Sequence, residues 1–115
     1  MQIVDDRRAL HQIPELDRQL PKTMDYLRGA LSGLTCRIFS PMSSSLCAWF
    51  DFGQKESIAF RADADARPIT EHTKAPYASR NPGCMHACGH DGHMAILLEL
   101  ARRLDKKGEL SHNVL

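Results

Sequence analysis

Met85-His86-Ala87-Cys88-Gly89-His90-Asp91-Gly92-His93-Met94-Ala95 packs cysteine, histidine and aspartate into one turn and then runs directly into an apolar row. Met94, Leu97, Leu98, Ala101 and Leu104 recur at helical spacing, Asp91 stands where an N-cap would, and Lys106-Lys107-Gly108 supply a basic last turn and a stop. The spacing predicts a helix from Asp91 or Gly92 to about Lys107, with that row buried.

Outward from this stretch, positions 63–91 carry Pro68, Pro76, Pro82, Gly83 and Gly89 and no helical or strand period. So long a connection inside a compact domain is unusual and often functional. Before it the period is that of strands: Cys36 and Ile38, then Leu46 to Phe52, then Ser57 to Ala62. Gly53 to Glu56 reads as a hairpin connection between the last two. Cys36 and Cys47 are expected as small buried thiols and Trp49 as sheet packing. Residues 3–13 are helix-compatible up to Pro14, and Leu20, Met24, Leu27 and Leu31 form a core-facing stripe after Pro21, stopped by Gly33. Ser111 to Leu115 turns from polar to apolar as a further strand would begin, leaving an unpaired edge there. The expected fold class is α/β, helices packed on a mixed sheet.

Whole-chain properties narrow the function. With 115 residues, 43% hydrophobic and 25% charged, the chain can build one small core. A net charge of +1 with interspersed signs argues against nucleic acid as a partner. No apolar stretch approaches the roughly 20 residues that cross a bilayer, and no secretory signal is visible in Met1 to Arg8. A cytoplasmic protein with no membrane partner is the expectation, which weakens a disulfide reading of Cys36, Cys47, Cys84 and Cys88.

In an extended chain Cys84, His86, Cys88 and His90 would face one side. They cannot all reach one ion, because seven extended residues span roughly 20 Å at about 3.3 Å each while zinc–ligand bonds are only about 2.0 to 2.3 Å long. Two residues at i and i+2 can. Cys88 and His90, beside the Gly89 turn, are the best placed pair, and a thiolate with an imidazole suits zinc and other first-row metals. Read alone, they fit equally a buried thiol beside a helix-capping histidine. Further ligands would come from Asp63 or Asp65, from His86 or His93, or from sequence outside this stretch. Asp63 and Asp65 read as turn-forming carboxylates, yet they follow a strand at its carboxyl end, where open α/β sheets place active sites.

Several ordered blocks resemble the aminoacylase and carboxypeptidase-like metallopeptidases, in particular the branch of hippurate, N-acyl amino acid and auxin-conjugate amidohydrolases. They are Arg8 to Leu16, Arg61-Ala62-Asp63-Ala64-Asp65-Ala66-Arg67-Pro68-Ile69, Ala78-Ser79 with Pro82-Gly83, and Met85 to Ala95. The resemblance implies the amino-terminal portion of a zinc-peptidase-like catalytic domain over 1–115, without the dimerising lid domain or the remaining catalytic segment. It implies Cys88 and His90 as ligands of a two-metal centre of zinc or manganese, and Asp65 as the carboxylate orienting it. The general-base glutamate and further ligands would lie in that remaining segment.

The implied reaction is metal-dependent hydrolysis of the amide bond of N-acyl amino acids or small peptides, and the resemblance allows a homodimer for the complete enzyme. The isolated segment is expected to be inactive. Two other readings stand beside this one: a small metal-binding module using Cys84, His86, Cys88, His90 and His93, and a non-catalytic structural domain. Where the family usually has Asp-Met-Asp-Ala-Leu-Pro, this chain has Asp63-Ala64-Asp65-Ala66-Arg67-Pro68. Loss of a buried methionine would cost about 2 to 5 kcal/mol if that position lies in the core.

Overall fold

A computed structural model describes residues 1–115. Helix α1 (Gln2–His11) ends just before Pro14. Helix α2 (Pro21–Leu31) has its proline at the first helical position, where the missing N–H costs nothing. The cap of α2 comes from outside the helix: the Glu15 carboxylate accepts from the Lys22 and Thr23 backbone N–H groups at 3.2 and 2.7 Å and from the Thr23 hydroxyl at 2.8 Å. A carboxylate there also faces the positive end of the helix dipole.

Strands β1 (Arg37–Phe39) and β2 (Cys47–Trp49) pair antiparallel, with Ile38 opposite Ala48. Strands β3 (Ser57–Ile58) and β4 (Asn113–Val114) pair parallel. Helix α3 (His90–Lys107) is the crossover that a parallel pair requires. Phe50 exchanges both backbone hydrogen bonds with Val114, 2.8 and 3.0 Å, and so links the two ladders in the order β1, β2, β4, β3. The result is the expected α/β arrangement, with helices on a small mixed sheet.

Three local expectations are corrected. The segments flanking Gly53 to Glu56 do not form a hairpin, because β4 lies between them. Asn113 closes that turn from across the sheet: its side-chain oxygen accepts from Phe52 and Gln54 N–H at 2.8 and 3.1 Å, and its amide donates to the Gln54 carbonyl at 2.7 Å. Asp91 is not the N-cap of α3; Gly89 is, with φ at +103°, and Asp91 lies buried in the first turn with other partners. The unpaired edge is not at Ser111 to Leu115, whose backbone bonds to Phe50 on one side and to Glu56, Ile58 and Phe60 on the other. The bare edge is the outer side of β3, where Ile58 and Phe60 are exposed.

Leu31, Phe50, Leu98, Ala101 and Val114 form the core where α2, α3 and the sheet meet. In α3, Met94, Ala95, Leu98 and Ala101 are buried, while Leu97 and Leu104 are half-buried. Cys36 and Cys47 are half-buried rather than buried, and all four cysteines are free. Burial pushes the Cys36 thiol up from its ordinary range. A polar tie joins all three helices: the Asp6 carboxylate of α1 accepts from the Tyr26 hydroxyl of α2 at 2.8 Å and from the Arg102 guanidinium of α3. Burial and this bond to Asp6 push the Tyr26 pKa up to about 12.

Candidate metal centre

The long connection is a pinned loop. Ala66 N–H donates to the Glu15 carbonyl at 2.7 Å, Arg80 N–H to the Gln12 carbonyl at 3.0 Å, and the Asn81 amide to the Pro14 carbonyl at 2.9 Å. Arg67 and Met85 bridge the two arms of the loop with a pair of backbone bonds. The strand-following aspartates and the start of α3 are thereby brought together.

His90, the first residue of α3, meets the aspartates. Its Nδ1 lies 2.8 Å from the Asp65 carbonyl oxygen and 3.2 Å from Asp65 Oδ1. Nδ1 therefore carries a proton, which in the neutral ring leaves the lone pair on Nε2, 4.0 Å from Asp63 Oδ2. A backbone carbonyl that fixes the tautomer of a metal-ligating histidine is a common second layer of support. Cys88 is exposed and makes no hydrogen bond, so the reading of it as a buried thiol does not hold. It opens on a polar pocket of about 390 Å³ shared with Arg7, His11, Glu71, Tyr77 and His86.

His86 is 4% exposed, and neither ring nitrogen has a hydrogen-bond partner. Burial holds its pKa below the ordinary range, so the ring is neutral. An unpartnered buried imidazole is costly, by about 1 to 3 kcal/mol, and His86 lines the same pocket as Cys88. The donor set fits a divalent metal as far as it goes: one free thiol and one imidazole nitrogen with its tautomer already set. No three His, Cys, Asp or Glu side chains converge in ligating geometry, so the five-residue module of Cys84, His86, Cys88, His90 and His93 does not form.

Beneath this turn lies a network that spacing did not disclose. His11 Nδ1 is 2.8 Å from Asp91 Oδ2, and its Nε2 is 3.0 and 3.1 Å from the two oxygens of Glu71. Arg7 Nε adds a contact to the same Asp91 oxygen at 3.0 Å, and Tyr77 sets its ring edge-on to His11 under the Arg7 and Arg8 guanidiniums. Burial works against the Glu71 charge. The Thr73 hydroxyl, the Ser79 N–H and His11 outweigh it and lower the pKa to about 2. His11 and Glu71 are 80 and 20 positions from Asp91, so no local period could reveal them; the only signal was the place of His11 in the resembling block Arg8 to Leu16.

A larger groove of about 720 Å³ runs between α2, α3 and the sheet, with Asp63, Ala64 and Asp65 at one end. Its walls are mainly apolar, so the chemistry lies at its rim. Ala64 is half-buried and lines this groove, and Arg67 is exposed, with water to hold its charge.

Residues 59–114 match Peptidase family M20/M25/M40. The chain is similar to an uncharacterized hydrolase of Staphylococcus aureus (strain bovine RF122), 36% identical over 115 residues, covering 97% of this chain and 30% of that protein. An uncharacterized hydrolase of Staphylococcus epidermidis is 40% identical over 111 residues, covering 94% and 29%. Among solved structures, the Bacillus subtilis YXEP protein, a dinuclear metal binding peptidase from the M20 family, aligns with a TM-score of 0.90 at 36% identity, covering 97% of this chain and 33% of that one. A protein from methicillin-resistant Staphylococcus aureus aligns with a TM-score of 0.93 at 36% identity, covering 98% and 31%. The chain thus spans about 30% of the length of the curated relatives it matches.

Proposed function

We infer, from the match of residues 59–114 to Peptidase family M20/M25/M40, that this chain is the amino-terminal catalytic segment of a metal-dependent amidohydrolase acting on N-acyl amino acids or small peptides. The observation that carries the reading is His90: Nδ1 is tied to the Asp65 carbonyl at 2.8 Å, which leaves Nε2 as a ready ligand two residues from the free thiol of Cys88. When bound, a divalent pair such as zinc or manganese would polarise an amide carbonyl and bring the pKa of water to about 7. Cys88 and His90 are the two ligands from this segment. Asp65 orients His90 through its carbonyl and, at 3.2 Å, its carboxylate.

A catalytic zinc usually takes three protein ligands, so the remainder, with the general-base glutamate, would come from sequence outside residues 1–115, of the kind that the longer relatives carry. Cytoplasmic action and a homodimeric complete enzyme belong to the same reading, supported by the resemblance. The test uses the full-length protein, stripped with a chelator and assayed on N-acetyl and N-benzoyl amino acids and dipeptides. Turnover should vanish on stripping, return with zinc or manganese, and fall by at least roughly 100-fold in Cys88→Ala and His90→Ala, beyond what loss of one general base costs at its low end. Turnover that survives chelation, or is indifferent to both substitutions, overturns the reading.

A further inference from the structure

We propose that His11 is a positioning residue for the metal-binding turn: held between Asp91 and Glu71, it fixes the first turn of α3 and with it the bearing of Cys88 and His90. The proposal rests on the metal site argued above and concerns a residue outside it.

Three distant parts of the chain meet on one imidazole: the last residue of α1, the first turn of α3 and the long loop. All three side chains are at most 4% exposed. Both ring nitrogens of His11 meet a carboxylate oxygen, Nδ1 that of Asp91 and Nε2 those of Glu71. A buried network with every member satisfied specifies a single arrangement, because a slip leaves a carboxylate uncompensated in a poorly screened interior.

The turn needs such a clamp. Gly89 sits at φ +103° between the two ligands, and glycine alone resists reorientation least of all residues. A Cβ there would meet nothing nearer than His93 Nε2 at 3.9 Å, so packing does not hold the pivot either. Two contacts hold the α3 side of this pivot: Asp65 fixes the His90 ring, and Asp91, the next residue, is anchored to α1 by His11 and by Arg7. The Cys88 side is held by the backbone pair of Met85 with Arg67. With both anchors in place the two ligands keep one relative bearing; with the Asp91 anchor gone, the Gly89 peptide is free to swing.

The experiment separates the two sides of the imidazole in the full-length protein. His11→Asn keeps an N–H donor near the place of Nδ1, toward Asp91, while His11→Gln moves the donor toward Glu71. Each variant is loaded with cobalt, read by thiolate-to-cobalt charge-transfer absorption, and titrated against a chelator for affinity; melting temperature is recorded in parallel. The expected result is that His11→Gln loses affinity by about 10- to 100-fold, as altered outer support of a ligand does, with a weakened thiolate band, while His11→Asn stays near the parent.

Equal affinity and an unchanged band in both variants, with only the melting temperature lowered, would show a merely structural histidine and overturn the proposal. Equal losses in both would overturn the route through Asp91. Should the His11 variants not fold, Arg7→Leu removes the other partner of the same Asp91 oxygen from a partly exposed position; it must weaken the thiolate band to a smaller degree, and no change overturns the proposal. Metal binding that is indifferent to Cys88→Ala and His90→Ala defeats the underlying function instead, whatever the His11 variants do.

Discussion

Glu71 shows how a single side chain links fold and pH. Its pKa is about 2 against an ordinary 4.5, so the folded state prefers the ionised form. The stabilisation is complete above about 4.5 and is lost as pH falls toward 2. Glu71→Gln should lower stability at neutral pH and flatten the acid limb across that window, measured as urea midpoints at successive pH values. An acid limb as steep as the parent's would show that other carboxylates govern it. At the same scale Gly89→Ala should cost about 1 to 3 kcal/mol from backbone strain alone, because φ +103° is the obstacle and space is not. A chemical-denaturation ΔΔG near zero would mean that the turn relaxes.

Among the elements, the sheet depends on a clamp that is itself a side chain. Asn113 satisfies three backbone groups in the turn after β2, at 2.8, 3.1 and 2.7 Å. Asn113→Ala leaves them without that partner and should cost about 1 to 3 kcal/mol; Asn113→Asp, which keeps both acceptors and loses the donor, should fall between. Thermal melts of the two variants give the order, and an alanine variant as stable as the parent would show that water replaces the amide. The limits of the helices follow local signals. Pro14 and Pro21 bound the α1–α2 connection, Gly108 ends α3, and the apolar rows face where their spacing placed them, with Leu97 and Leu104 at the margin of the buried stripe.

For the molecule as a whole, the apolar groove and the bare outer edge of β3, with Phe60 51% exposed, give residues 1–115 surface that a compact monomer rarely shows. Expressed alone, this segment should bind zinc only weakly and show no metal-dependent hydrolysis of acyl amino acids, because two ligands hold a metal poorly. A zinc titration and an assay with a Cys88→Ala, His90→Ala control check both parts. Tight stoichiometric binding, or turnover lost in that control, would mean that Asp63, Asp65, His86 or His93 completes a site within the segment.

What was legible from the sequence was local. A helix reveals itself through contacts three and four residues apart, a proline or glycine stop acts on its own neighbours, and Cys88-Gly89-His90 keeps a thiol and an imidazole near each other by covalent spacing. Tertiary structure decided everything that depends on residues far apart meeting: the insertion of β4 between the strands taken for a hairpin, the Glu15 cap on α2, the transfer of Asp91 from cap to buried partner of His11, and the choice of His90 tautomer by the Asp65 carbonyl. Each of these satisfies a buried polar group or an open strand edge. Such groups take whichever partner the packed chain brings to them, and that partner is set by the closing of the core around Phe50, Leu98 and Val114 rather than by position along the sequence.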